Sequence, residues 1–125
     1  DGTSNFLHGI PHFAISIAVQ EPKLGGGGWN EVTAGVVYQP ITDETFWAEK
    51  SRGAWLHDGR LRVSGRRNLS EALIATGVPF QGHGDFSEWT KIFSAIGPQV
   101  AGIRRFGAAS LDLAWLAAGL VGGRL

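Results

Sequence analysis

Between His12 and Ser64 the chain passes through four short runs of apolar, β-branched and aromatic residues separated by turns. The first is "HFAISIAVQ" (12–20), which reads as a buried strand. "EVTAGVVYQ" (31–39) and "TFWAEK" (45–50) follow, and then "AWLHDGRLRVS" (54–64), in which Asp58-Gly59 marks a two-residue hairpin turn. Short connections leave antiparallel pairing of neighbouring strands as the economical arrangement.

The second half changes period. "LIATGVPF" (73–80) is a further short strand ending at Gly77 and Pro79. "DFSEWTKIFSAI" (85–96) places Phe86, Trp89, Ile92 and Phe93 at helical spacing on one face, and Gly97-Pro98 stops it. "AGIRRFG" (101–107) predicts a strand, and "AASLDLAWLAAG" (108–119) a small apolar helix closed by Gly119. The expected fold is therefore α+β: a largely antiparallel sheet with packed helices, in one domain without repeat or linker.

Composition narrows function. Eleven basic residues balance eleven acidic ones, so no global field gathers nucleic acid or an anionic membrane. Arg60, Arg62, Arg66 and Arg67 alternate with other residues as on the solvent side of a strand and turn. There is no cysteine, which removes disulfide and thiolate chemistry. No apolar run is long enough to suggest a membrane span. The sequence also holds no methionine and opens on Asp1, so we expect residues 1–125 to be the central part of a longer domain, incomplete at both ends.

The opening, "DGTSNF", carries the densest chemistry. Asp1 offers a hard carboxylate of the kind Mg²⁺ prefers. Gly2 permits a close backbone approach or a positive φ. Thr3 and Ser4 are placed as helix N-caps, and N–H groups at a helix start attract anions. By residue type alone this is either a metal-and-phosphate corner or an ordinary capped turn.

"DGTSNFLHGIPHFAISIAV" resembles half of the metal-and-phosphate motif of the inositol monophosphatase family. The likeness continues through "AGVVYQPITDETFWAEKSRGAWLHDGRLRVS" and "ALIATGVPF" to "AGIRRFGAASLDLAWLAAG", in the family's order. It implies a layered α/β/α fold and Mg²⁺-dependent hydrolysis of a small phosphorylated polyol, foremost inositol monophosphate. It also implies a cytoplasmic homodimer. Neither nucleic acid nor membrane is expected as a partner, from the charge balance and the lack of a polybasic or long apolar run. Under the resemblance Asp1 is a metal ligand that also faces the substrate. Gly2 and Thr3 bind the phosphate through their N–H groups, and the Thr3 hydroxyl orients the attacking water. Gly107, Ala108 and Ala109 form a loop against the polyol ring, with Ala108 where the family often has a hydroxyl.

The family's other metal carboxylates lie ahead of Asp1 and beyond Leu125. Asp43, Glu44, Glu49, Asp85 and Asp112 do not match them, so the 125 residues alone are expected to be inactive or nearly so. Related phosphatases acting on histidinol phosphate, fructose bisphosphate or adenosine bisphosphate, and a non-catalytic binding remnant, are the alternatives.

Other features have simpler readings. Gly9 and Pro11 interrupt the His8–His12 spacing, so the pair is not expected to share a helix face. His57 and His83 are isolated. Gly25 to Gly28 joins two strands, a hairpin tip rather than a phosphate loop. Trp47, Trp55, Trp89 and Trp115 are expected in the core, and Asp112 as an exposed carboxylate or one in a helix's first turn.

Overall fold

The computed structural model describes residues 1–22, 30–80 and 84–124. The glycine tip with Trp29, and His83, fall outside the described residues. The described residues include two sheets and three α-helices, an α+β arrangement.

Strands β1 (Ile15–Glu21), β2 (Glu31–Gln39), β3 (Glu44–Glu49), β4 (Gly53–Leu56) and β5 (Gly59–Arg60) form one antiparallel meander in chain order. The hairpin between β4 and β5 turns on His57 and Asp58, one residue earlier than Asp58-Gly59 suggests, because Leu56 pairs with Gly59. His57 takes the left-handed φ of 49° that the turn requires.

Pairing sorts the side chains into two faces. On one, Ser16, Val37, Phe46 and Leu56 stand in a row across the sheet. On the other, Ile17, Val36, Trp47 and Trp55 do the same. Helix α3 (Ala109–Ala117) packs on the first face, and Ala14, Phe46, Ala108 and Leu111 form the buried cluster between them. Enclosing a phenylalanine such as Phe46 contributes roughly 2–3 kcal/mol.

The second face carries no such cover. Ile15, Ile17 and Val19 of β1 are exposed, which corrects the expectation of a buried first strand. β1 is also the edge of the sheet, so it lacks a neighbour on one side. The four tryptophans are half-buried rather than fully enclosed. Trp47 and Trp55 stack on each other at 5.7 Å, and the Arg60 guanidinium lies 5.7 Å from the Trp55 ring. Arg60 thus shields an aromatic surface as well as facing solvent.

A second sheet, not legible as such in the sequence, is parallel. β6 (Leu73–Ala75) sits between β7 (Gly102–Arg104) and β8 (Gly123–Arg124). Helix α2 (Phe86–Ile96) forms the crossover from β6 to β7. Asp85 caps its start, accepting from the N–H groups of Ser87 and Glu88. Phe86, Trp89 and Phe93 stack along one face as expected, yet Phe86 and Phe93 stay exposed. The Trp89 indole N–H reaches Thr76 Oγ1 at 3.2 Å, tying α2 to the end of β6.

Helix α3 ends as the sequence indicates. Gly119 takes φ 76°, its N–H donates to Leu116 and the Leu120 N–H donates to Trp115, the paired bonds of a Schellman stop. A side chain at 119 would meet the Arg62 and Ser64 backbone at about 3 Å, so glycine is also required by packing.

Candidate active site

Helix α1 (Thr3–Leu7) is a single turn and a half, and Gly2 in the left-handed conformation (φ 85°) is its cap. Thr3 and Ser4 are therefore not caps; the helix begins at Thr3, and no side chain caps it. Gly2 is buried, and a Cβ there would lie 3.0 Å from the His12 carbonyl and from two Phe13 atoms. That close approach comes from the segment just before β1. Asp1 and Ala14 exchange backbone hydrogen bonds of 2.7 and 2.9 Å, and the Ile10 N–H donates to the Asn5 carbonyl. The opening is thus folded back on residues 10–14 before it meets any other element.

Its side chains then reach the far end of the chain. Asp1 Oδ2 accepts a 2.6 Å hydrogen bond from the Ser110 N–H, in the first turn of α3. Ala108 is the cap residue of α3 and offers no side-chain acceptor. A carboxylate from residue 1 therefore performs the capping that the local sequence cannot. Asn5, also buried, donates from its amide nitrogen to the carbonyls of His12 (2.7 Å) and Phe106 (2.8 Å). Gly107, at φ 89°, leaves room for that amide: a Cβ would stand 2.9 Å from Asn5 Nδ2.

A cavity of about 150 Å³ opens at this junction, lined by Asp1, Thr76, Gly77, Arg105, Gly107, Ala108, Ala109 and Asp112 among others. Four of the residues singled out from the sequence thus line one cavity: Asp1, Gly107, Ala108 and Ala109. Gly2 and Thr3 adjoin it in the chain but are not among its lining residues, and the Thr3 side chain is exposed. A larger groove of about 310 Å³ between the sheet and α3 is almost wholly apolar and brings no chemistry together.

Two lining residues escape a reading by sequence. Arg105 brings a cation to a cavity with two carboxylates. Asp112 lies in the first turn of α3, as one expectation had it, but it is only 2 % exposed rather than facing solvent. Its charge acts on His12, whose ring packs against Phe106 and Trp115 at 5.5 and 5.1 Å. Burial pushes the His12 pKa down, and Asp112 opposes this by favouring the charged ring. Asp112 was hidden from spacing rules because its neighbours come from residues 12 and 76–77.

For a cation, the donor chemistry is half complete. The hydrogen bond from Ser110 engages one oxygen of the Asp1 carboxylate, Oδ2. Among the described residues no group of three or more histidines or carboxylates converges as a full metal site. Mg²⁺ ordinarily takes one or two carboxylates and completes its shell with water and substrate phosphate, so Asp1 fits as one ligand of such a site.

The Asp1 carboxylate and the Gly107–Ala109 backbone thus meet at one small cavity, with the glycine-capped turn beside it in the chain. The model of the inositol monophosphatase family matches residues 1–124. The chain belongs to the inositol monophosphatase family. It is 53 % identical over 120 residues to an inositol-1-monophosphatase of Caulobacter vibrioides, covering 95 % of this chain and 44 % of that protein. With Nus factor SuhB of Pseudomonas aeruginosa it shares 48 % identity over 121 residues, 95 % of this chain and 42 % of that one. Among solved structures it superposes on the extragenic suppressor protein suhB of Bartonella henselae with a TM-score of 0.85 and 47 % identity. That match covers 97 % of this chain and 44 % of the other. The chain thus spans less than half the length of these relatives.

Proposed function

We propose that this chain forms the phosphate-and-polyol half of a Mg²⁺-dependent phosphomonoesterase, acting foremost on inositol monophosphate. The observation that carries the reading is the Asp1–Ser110 hydrogen bond, which brings the Asp-Gly-Thr corner against the Gly107–Ala109 loop. Reaction with water breaks the phosphorus–oxygen ester bond and gives the free polyol and inorganic phosphate. Mg²⁺, with Asp1 as one of its ligands, supplies neutralisation of phosphate charge and a lowered pKa for water.

The chain's own residues handle the rest. The first N–H groups of α1 have no partner within the helix, and they hold phosphate oxygens beside Gly2 and Thr3. The Thr3 hydroxyl orients the attacking water. The backbone at Gly107, Ala108 and Ala109 receives the polyol ring at the start of α3. With alanine at 108, that contact is made without a side-chain hydroxyl.

The same reading carries cytoplasmic location and homodimeric assembly for the full-length protein, and little or no activity for the 125 residues alone. The test is hydrolysis by the full-length protein in Mg²⁺ of inositol monophosphate, histidinol phosphate, fructose bisphosphate and adenosine bisphosphate, with free phosphate measured. Preference for inositol monophosphate supports the reading, and preference for another ester moves the substrate while keeping the reaction. Absence of all four activities leaves a non-catalytic binding role. The relatives named Nus factor give that second reading its footing.

A further inference from the structure

We infer that Asn5 is a positioning residue that sets the spacing between the phosphate corner and the polyol loop. The inference rests on the reading of the site given above. Asn5 sits in α1, directly after the Asp-Gly-Thr corner, and its amide donates simultaneously to the carbonyls of His12 and Phe106. The first bond holds the corner against the strand entering the sheet. The second spans 101 residues to the residue immediately before Gly107.

Both donors of one planar amide are therefore used, on two different chain segments. No other residue type of this size offers two N–H donors from one atom. Gly107 has no side chain, and the Asn5 amide together with the Arg105 guanidinium stands where one would be. The bond from Asp1 to Ser110 fixes the same two segments from the other side of Gly107. With Asn5 removed, of these two side-chain hydrogen bonds only that between Asp1 and Ser110 remains, and the loop gains freedom to pivot about Ser110. A phosphate bound at the corner feels little of that pivot. A ring that must touch loop and corner together feels all of it.

The experiment uses the full-length protein and two esters, inositol 1-phosphate and glycerol 2-phosphate; the second engages the corner but presents no ring to the loop. For Asn5→Ala, kcat/KM for inositol 1-phosphate is expected to fall about tenfold further than for glycerol 2-phosphate. Inhibition by inorganic phosphate should stay within about twofold of the parent. An equal fall for both esters, or no fall, overturns the inference, since a general loss of fold cannot discriminate between substrates.

Asn5→Asp keeps the shape and supplies a second arm. Its ionised carboxylate opposes both carbonyls, whereas its protonated form donates once, so the substrate ratio should recover as pH falls. A ratio that ignores pH in this variant counts against Asn5. Should neither variant fold, as judged by circular dichroism, Asn5 serves overall stability and the inference fails. A parent protein inactive on both esters removes the functional reading itself, a result distinct from any of these.

Discussion

The carboxylate of Asp1 accepts the N–H of Ser110 at 2.6 Å across 109 residues of sequence. A side chain that the family resemblance marks as a metal ligand is thereby also the cap of a helix. One oxygen holds the scaffold, and the residue also lines the cavity. The two duties are separable by substitution.

Asp1→Asn retains an acceptor oxygen for Ser110 but loses the charge. Its stability should stay within about 0.5 kcal/mol of the parent, as for an exchange between two good caps. Phosphatase activity of the full-length protein should fall on the order of a hundredfold or more. Asp1→Ala removes the cap as well, and should cost a further ~1 kcal/mol. Urea unfolding and steady-state kinetics on the pair check this; equal stability losses in the two variants would count against capping.

Gly2 and Gly9 make a matched comparison of backbone strain. Both have positive φ, 85° and 71°, but a Cβ at Gly2 meets backbone at 3.0 Å while one at Gly9 meets nothing within 4 Å. Gly9→Ala should cost about 1 kcal/mol for conformation alone. Gly2→Ala should cost about 2–3 kcal/mol, because neither His12 nor Phe13 can move without shifting the corner. Chemical denaturation of both variants gives the two numbers directly.

His12 gives stability a pH dependence. Its folded-state pKa lies below the ordinary 6.5, burial being the larger cause and Asp112 opposing it. Between the two values the unfolded chain binds more protons, so the contribution is complete above 6.5 and is lost as pH falls through the folded value. Unfolding midpoints at about pH 8 and about pH 5 should differ less in His12→Phe than in the parent. They should differ more in Asp112→Asn, which deepens the depression. A parallel response in all three proteins would remove His12 from the account.

The open face of the sheet predicts self-association of the 125-residue chain. Ile15, Ile17 and Val19 are exposed in one row on an edge strand, an arrangement that soluble proteins ordinarily cover or break with charge. Sedimentation should show species larger than a monomer, with binding of an apolar dye. Ile17→Lys should shift the population toward monomer and weaken dye binding. An unchanged distribution would place the association elsewhere.

Features encoded by neighbouring residues were readable from the sequence. Gly119 announces the end of α3 because a Schellman stop needs only one glycine and its local carbonyls. The Phe86–Trp89–Phe93 stripe announces α2 in the same way. The parallel sheet was not readable, since β7 and β8 are three and two residues long and hold no periodicity. The family resemblance implied that the corner and its loop share one substrate, but the bond by which they meet was not readable. Nothing around Ala108 reveals that its missing cap arrives from residue 1, and nothing around Asp112 reveals that a histidine 100 positions away shares its surroundings.

The long reach of the Asp1 and Asn5 bonds orders events in time. The hairpins of the meander close over short loops, and such elements form within roughly 1–10 μs. The bonds to Phe106 and Ser110 close loops of 101 and 109 residues, the kind of contact that makes folding slow. On a ribosome adding about 5–20 residues per second, the corner emerges on the order of ten seconds before its partner loop. The bonds from this segment to His12 and Ala14 can close early, whereas those to Phe106 and Ser110 wait for the loop, so the junction between the two forms after the corner itself.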